Sequence, residues 1–189
     1  MTQEKELKAS NGYIMLFVFL ILFFGSIIGF AIIKNPWFIA GILIALFILP
    51  GLILVNPNGS RVLLLFGDYK GTVKKNGLFW VNPFYTKKKI ALRARNFDSE
   101  RLKVNDKLGN PVMISTILVW RVRDTYKASF DVDNFENFVV VQTDAAVRKL
   151  ASLYHYDNFA DEGLDEDITL RSSVNEVSNA LEKEIDERL

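Results

Sequence analysis

The sequence has no cysteine and a single histidine, His155. Without cysteine, the chain forms no disulfide and offers neither a thiol nucleophile nor a thiolate metal site. One histidine is too few for a typical zinc centre and leaves Ser–His catalysis with one isolated base. The G-x-S-x-G, P-loop and G-x-G-x-x-G patterns are also missing. We therefore expect no cofactor, no metal site and no enzymatic activity.

Net charge is also nearly absent, at +1 over 189 residues, so the whole chain gives no electrostatic reason to expect nucleic-acid binding. The charges are nevertheless segregated. Residues 56–130 contain 15 Lys or Arg against 5 Asp or Glu, and residues 131–189 contain 5 against 15. This split favours a homo-oligomer in which the basic segment of one copy meets the acidic segment of the next.

Two long stretches lack any charged residue, at 13–33 and 37–55. A helix of about 20 apolar residues matches the roughly 30 Å hydrocarbon thickness of a bilayer. The intervening Lys34-Asn35-Pro36 favours a tight turn. The pattern predicts a tail at 1–12, two antiparallel transmembrane helices at 13–33 and 37–55, and a soluble domain at 56–189. Four small residues are predicted to pack the two helices together: Gly25, Gly29, Gly41 and Ala45.

Three alternatives to this hairpin remain at this point. They are a cleaved signal peptide, a pair of buried helices in a soluble core, and a re-entrant hairpin bent near Pro50-Gly51. Basic residues are more frequent on the two flanks than in the turn, which has only Lys34. By the positive-inside rule, we expect both termini and the soluble domain in the cytoplasm.

The soluble part has strand patterns first and helical patterns later, which indicates an α+β fold. Apolar and polar residues alternate over 89–97, and one long strand is expected over 112–122. Asp133 followed by Glu136 predicts the start of a helix, and a second helix is expected over 170–189. Acidic residues over 161–167 lack the ligand spacing of a calcium loop and indicate a solvated loop.

A basic group, consisting of Lys87, Lys88, Lys89, Arg93 and Arg95, allows two interpretations. Lysines on an exposed strand edge discourage edge-to-edge pairing between sheets. Alternatively, these side chains contact anionic lipid headgroups, because the soluble domain begins a few residues after the membrane segments.

Several motifs, in this order and spacing, resemble the SPFH (Band 7) family of stomatin-, prohibitin- and flotillin-like membrane proteins. They are Val62-Leu63-Leu64-Leu65-Phe66-Gly67, the segment from Gly77 to Phe84, Asp106-x-x-Gly109-Asn110-Pro111, and Trp120 through Asp124. The resemblance covers roughly residues 52–189. The motif positions expected to have structural roles are Gly67, Gly77, Pro83, Phe84, Gly109, Pro111, Trp120 and Asp124.

The resemblance implies a membrane α-hairpin followed by an α+β SPFH domain. It also implies a scaffold that forms rings or cages, organises membrane lipids and proteins, and associates with a membrane protease. Two alternatives are a membrane protease subunit and a membrane-anchored adaptor for a soluble partner. Family members continue into closing strands and a coiled coil, so we expect the natural chain to continue past Leu189.

Overall fold

A long apolar helix begins the fold. The structure is a computed structural model that describes residues 4–157 and 168–189. A two-residue strand, β1 (Ser10–Asn11), precedes helix α1 (Gly12–Ile33). The Asn11 side chain caps α1 by accepting a hydrogen bond from the Tyr13 amide at 2.9 Å. The helix ends at Lys34, whose left-handed backbone (φ 56°) reverses the chain and whose amide donates to Phe30 O.

The second apolar stretch forms two kinds of structure. Helix α2 (Trp37–Ile48) continues into a 3₁₀ turn (Leu49–Gly51), and strand β2 (Leu52–Val55) follows. The prediction of a helix through Val55 is therefore wrong for its last four residues. Pro50 tightens the end of the helix, and the next residues pair with a neighbouring strand instead of continuing the helix.

The chain divides into two compact units, and the first comprises Met1–Arg93 and Arg121–Asp131. Beyond the hairpin it contains β3 (Gly59–Leu65), β4 (Asp68–Val73), β5 (Gly77–Trp80), β6 (Thr86–Ala91) and α3 (Thr125–Phe130). Antiparallel pairing gives two three-stranded sheets, ordered β1–β5–β2 and β4–β3–β6. Their shared core consists of Ile53, Val55, Leu63, Val73 and Val81.

The second unit comprises Ala94–Trp120 and Val132–Leu189. Its strands are β7 (Arg95–Asp98), β8 (Leu102–Asn105), β9 (Pro111–Ile114) and β10 (Ile117–Trp120). They form two antiparallel pairs, β7–β10 and β8–β9. The single strand predicted over 112–122 is thus two strands with different partners, although its alternation of exposed and partly buried residues runs on through residues 115 and 116. The alternation over 89–97 likewise spans the end of β6 and the start of β7.

Two helices complete the second unit, α4 (Phe135–Leu153) and α5 (Val174–Arg188). The cap of α4 is Asn134, one residue later than predicted, and its side chain accepts hydrogen bonds from two amides of the first turn. The buried face of α4 consists of Val139, Thr143, Ala146, Val147, Leu150 and Ala151. The Thr143 hydroxyl donates to Val139 O at 2.8 Å, while Leu153 is exposed. The predicted acidic loop over 161–167 lies outside the described residues.

Antiparallel sheets and helices after an N-terminal apolar helix therefore agree with the α+β prediction. Helix α3 was not predicted. Asp124 caps it by accepting hydrogen bonds from Tyr126 N and Lys127 N at 2.8 and 3.0 Å.

Candidate membrane-contact site

Small residues bring the two apolar helices together. A Cβ on Gly41 would overlap the Ser26 side chain, and one on Gly29 would overlap the Phe38 ring. Ala45 is fully buried and Ser26 is 8% exposed, in helices whose other side chains are mostly exposed or half-buried. Close helix contact through small residues is the usual packing mode in lipid.

Gly25 does not take part in this contact, contrary to the prediction that grouped it with Gly29. Among the described residues, no heavy atom other than those of its chain neighbours and of its own helix backbone lies within 4 Å of the Cβ position at Gly25. Successive residues are about 100° apart around a helix, so the neighbouring Ser26 faces α2 while Gly25 points away from it.

Both ends of the hairpin join the sheet β1–β5–β2. Gly12, the first residue of α1, packs so closely on β5 that an added Cβ would lie 2.7 Å from a Leu78 side-chain atom. At the other end, Gly51 leaves no room for a Cβ beside Trp80, and Val81 N donates to Gly51 O at 2.9 Å. Strands β1 and β2 pair with β5 on its two sides. The hairpin therefore leaves and returns to one sheet.

The end of α2 has its carbonyl groups satisfied by side chains of the same unit. The Trp80 indole donates from Nε1 to Ile48 O at 3.0 Å, and Lys87 Nζ donates to Pro50 O. A cation at a helix C-terminus is electrostatically favourable, and backbone groups in lipid must be paired within the protein. Burial and the nearby Arg61 charge lower the pKa of Lys87. Lys87 therefore binds the end of α2.

The other members of the predicted basic group have different contacts. Lys88 Nζ donates to Ser129 O at 3.1 Å, at the end of α3. Lys89 and Arg93 are exposed. Arg95 belongs to the second unit, where it pairs with Glu136. Lys87 and Arg95 thus contact protein groups, and the contact of the basic group with lipid headgroups stays a prediction.

Arg95 lies against two aromatic rings, which also contact each other edge-to-face with their centres 6.1 Å apart. Its guanidinium carbon is 5.7 Å from the centre of the Trp120 ring and 5.5 Å from that of Phe135. The same guanidinium forms the ion pair with Glu136 in the first turn of α4, where a carboxylate is favourable. Trp120, on β10, thereby helps to fix the start of α4.

Glu4 joins the N-terminal tail to the first unit, and sequence reasoning missed it. The carboxylate accepts hydrogen bonds from Thr125 N at 3.2 Å, from the Thr125 hydroxyl, and from Lys74 Nζ at 2.6 Å. Burial raises the pKa of Glu4, but the Lys74 and Thr125 hydrogen bonds outweigh it and leave the pKa below its usual value. The tail packs closely against Gly71, where a Cβ would lie only 2.9 Å from Lys5 O. Partners 70 and 121 positions away leave no local sequence signal.

Asp106 organises the β8–β9 turn. Its carboxylate accepts hydrogen bonds from Leu108 N, Tyr156 N and both nitrogens of Asn110. Burial raises the pKa of Asp106, but these hydrogen bonds together lower it below the usual value. Within this turn, Gly109 has a φ of 87°, which favours glycine.

The remaining motif positions lie at turns and strand ends. Gly67 and Gly77 have φ values of 93° and 136°. Pro83 and Phe84 lie between Asn82 and Tyr85, in a turn closed by Tyr85 N donating to Asn82 O at 3.0 Å. Pro111 begins β9. These roles concern backbone conformation and packing.

A family model, SPFH domain / Band 7 family, matches residues 53–189. The chain belongs to the SPFH/Band 7 family. The matched region begins within β2, directly after the apolar hairpin. A comparison with curated proteins gives no match. Among the described residues of this SPFH protein, α1 is long and apolar enough to cross a membrane, whereas the apolar helix over Trp37–Gly51 is shorter.

The two units of the SPFH protein differ in charge. The unit that includes the hairpin has 14 Lys or Arg against 5 Asp or Glu, a net charge of +9. The other has 9 against 17, a net charge of −8. The charge segregation seen along the sequence therefore follows the structural division.

Proposed function

We propose that this protein is a non-enzymatic membrane scaffold, anchored by a hairpin that enters the bilayer and returns to the side where it began. The observation that carries the proposal is the pairing of β1 and β2 with opposite sides of β5. A hairpin fastened at both ends to one small sheet needs that sheet to lie on one side of the membrane.

The exposed surface of the hairpin supports insertion into lipid. Large apolar side chains are exposed all along both helices, and in water this surface would be unfavourable. They include Ile14, Phe17, Ile21, Phe24, Ile28, Ile32, Ile39, Leu43, Ile44 and Phe47. A buried helix pair would cover such residues with protein, so lipid is the solvent that suits them.

The anchor is best tested by labelling single cysteines, because the chain contains none. Lys8→Cys precedes the hairpin, Lys75→Cys follows it, and Lys34→Cys lies at its turn. In oriented vesicles, an impermeant maleimide should label positions 8 and 75 from the same side. Labels on opposite sides would contradict the proposal. We expect position 34 to react from the far side, because α1 extends about 33 Å; protection from both sides would indicate a re-entrant hairpin.

We further propose that the soluble domain faces the cytoplasm, as the positive-inside rule predicts. Lys5, Lys8 and the basic first unit flank the hairpin, whose turn has only Lys34. Labelling of the Lys8→Cys and Lys75→Cys variants in intact cells should require membrane permeabilisation. Labelling without permeabilisation would reverse the orientation and leave the hairpin topology intact.

The scaffold acts by self-assembly in this proposal. Units with net charges of +9 and −8 favour contact between the basic unit of one copy and the acidic unit of the next. Such head-to-tail contacts close into rings, which would organise lipids and client proteins such as a membrane protease. Detergent-solubilised protein should therefore form a large oligomer that dissociates partly at high salt. A strict monomer at low salt would contradict the assembly proposal.

The acidic face of α5 provides a matched pair of variants. Glu182 and Asp186 are both exposed. Changing both to lysine should shift the oligomer towards smaller species, since the charge of this face is reversed. The control combines Glu182→Asp with Asp186→Glu, which keeps the charge and should leave the size distribution unchanged. Equal effects of the two double variants would argue against electrostatic assembly through α5.

A further inference from the structure

Phe66 is an unusually placed aromatic residue. It lies at the tip of the β3–β4 hairpin, is 86% exposed, and has a left-handed backbone with φ 51°. A bulky residue rarely adopts this conformation, which is energetically unfavourable. Gly67, the other turn residue, also has a positive φ, which matches the two-residue turns of tight hairpins. The backbone thus holds a large apolar ring outward at the tip.

The Phe66 ring continues an apolar surface that begins on α2. Its centre lies 6.4 Å from that of Phe84, and the centre of the Phe84 ring lies 5.4 Å from that of Phe47 on α2. Phe84 and Phe47 are 58% and 51% exposed. The side chain of Asn82 fixes the Phe84 turn by accepting a hydrogen bond from Phe84 N at 3.0 Å. We call Phe47, Phe84 and Phe66 the aromatic patch.

The lengths of the two helices leave space for this patch in the bilayer. Helix α1 has 22 residues and extends about 33 Å, close to the hydrocarbon thickness. Helix α2 and its 3₁₀ turn have 12 and 3 residues and extend only about 24 Å. A hydrocarbon layer of about 30 Å would therefore extend about 6 Å past the end of α2. A layer of aromatic rings has about this thickness.

We infer that Phe66 and Phe84 enter the bilayer next to the end of α2, so that the SPFH domain itself contacts lipid at its β3–β4 turn. The inference rests on the proposed membrane anchoring. Lipid is the occupant that the structure favours, because the patch is continuous with a helix surface already assigned to lipid. Asp68 and Lys70 follow directly after the turn as an exposed ion pair at 3.5 Å. Their charges limit the insertion to the tip, at the boundary between acyl chains and headgroups.

Site-specific fluorescence can test the depth of the tip. Phe66→Cys introduces the only cysteine, which is labelled with the environment-sensitive dye NBD in the full chain reconstituted into phosphatidylcholine–phosphatidylserine vesicles. The emission should shift to the blue, be quenched by lipids with a nitroxide near the headgroup, and resist quenching by aqueous iodide. Lys75→Cys is the control, because Lys75 is an exposed residue in the loop after β4, at the end of that strand opposite the Phe66–Gly67 turn. Its label should be quenched by iodide and not by nitroxide lipid.

The outcomes separate this inference from the anchoring on which it rests. A label on Ile28→Cys, on the exposed face of α1, should be quenched by nitroxide lipid if the hairpin is inserted. Quenching at position 28 with an iodide-accessible label at position 66 would refute the tip insertion alone. Loss of quenching at both positions would refute the anchoring as well. A blue shift at position 66 that nitroxide lipid does not quench, and that disappears on dilution in detergent, would assign the patch to a second copy and overturn the inference.

Discussion

Replacing Arg95 with alanine should loosen the start of α4 without reducing the contact of the protein with anionic lipid. The sequence placed Arg95 in a lipid-binding group, whereas the structure places its guanidinium against Trp120, Phe135 and Glu136. The two roles predict opposite results. A structural arginine determines local stability, and a lipid-binding arginine determines lipid retention.

The expected decrease in stability follows from the three interactions of the guanidinium. The ion pair is partly exposed, with 31% and 57% of the two side chains accessible, so it contributes about 0.2–1 kcal/mol. Each cation–π contact adds about 0.5–1 kcal/mol. The sum is roughly 2 kcal/mol, which corresponds to about a 30-fold change in a local opening equilibrium. Arg95→Lys should be less destabilising, because an ammonium keeps the ion pair but stacks less well on the rings.

Hydrogen–deuterium exchange measures this equilibrium at the start of α4, where Phe138 N donates to Asn134 O, and in the β7–β10 ladder that contains Arg95 and Trp120. Exchange should be about 30-fold faster in Arg95→Ala, which removes the ion pair and both ring interactions, and only several-fold faster in Arg95→Lys, which keeps the ion pair. Arg101→Ala, at an exposed position of the same unit, should not change it. Unchanged exchange in Arg95→Ala, together with less anionic lipid after purification, would refute the structural role.

Three further predictions follow from the hairpin, the tail and the β8–β9 turn. Gly41→Leu should separate α1 from α2 because its side chain would overlap Ser26, whereas Gly25→Leu should not; spin-label distances between the helices distinguish the two. Glu4→Gln should expose the tail to trypsin about tenfold faster, because it removes the charge from hydrogen bonds worth roughly 1.5–3 kcal/mol each; unchanged cleavage would show that the carboxylate is dispensable. The folded pKa of Asp106 is lowered, so its contribution is present above the unfolded value of about 3.9 and is lost as pH falls towards the folded value. Asp106→Asn should remove this acid dependence from amide exchange in the turn, and an unaltered pH profile would exclude Asp106 as its source.

The sequence predicted most elements of the fold because their signals are local. Alternating exposure across β9 and β10 follows the strand pattern predicted over 112–122, and α1 follows from its uncharged length. Partner choice was not predictable, because nothing in a continuous alternation shows where a strand changes partner. The burial of Thr143 on α4 was also not predictable from polarity, since its hydroxyl is satisfied within the helix and can be buried at little cost.

The candidate site was harder to predict, because cationic side chains were assigned by charge alone. Lysines and arginines near a membrane segment suggest headgroups, but Lys87 binds a helix carbonyl and Arg95 binds aromatic rings and a carboxylate. Both contacts join residues distant in sequence. The packing of small residues between the helices was easier to predict from the sequence, because Gly29 and Gly41 lie at corresponding distances from the turn.

The second apolar stretch has two environments, because its helical part faces outward and its last residues are buried in the protein. Residues 37–55 are uniformly apolar, so hydropathy cannot divide them, yet Ile53 and Val55 are buried in protein while the residues before Pro50 mostly face outward. Pairing with β5 decides the boundary, because it satisfies the backbone of Leu52–Val55 as a strand, and Trp80 and Lys87 satisfy the helix end. In the proposed membrane arrangement, the aromatic rings of Phe84 and Phe66 adjoin the bilayer beside the end of the shorter α2. The depth of Phe66 in the bilayer therefore depends on the length of α2. A polar residue at position 66 should move the β3–β4 turn outward from the membrane.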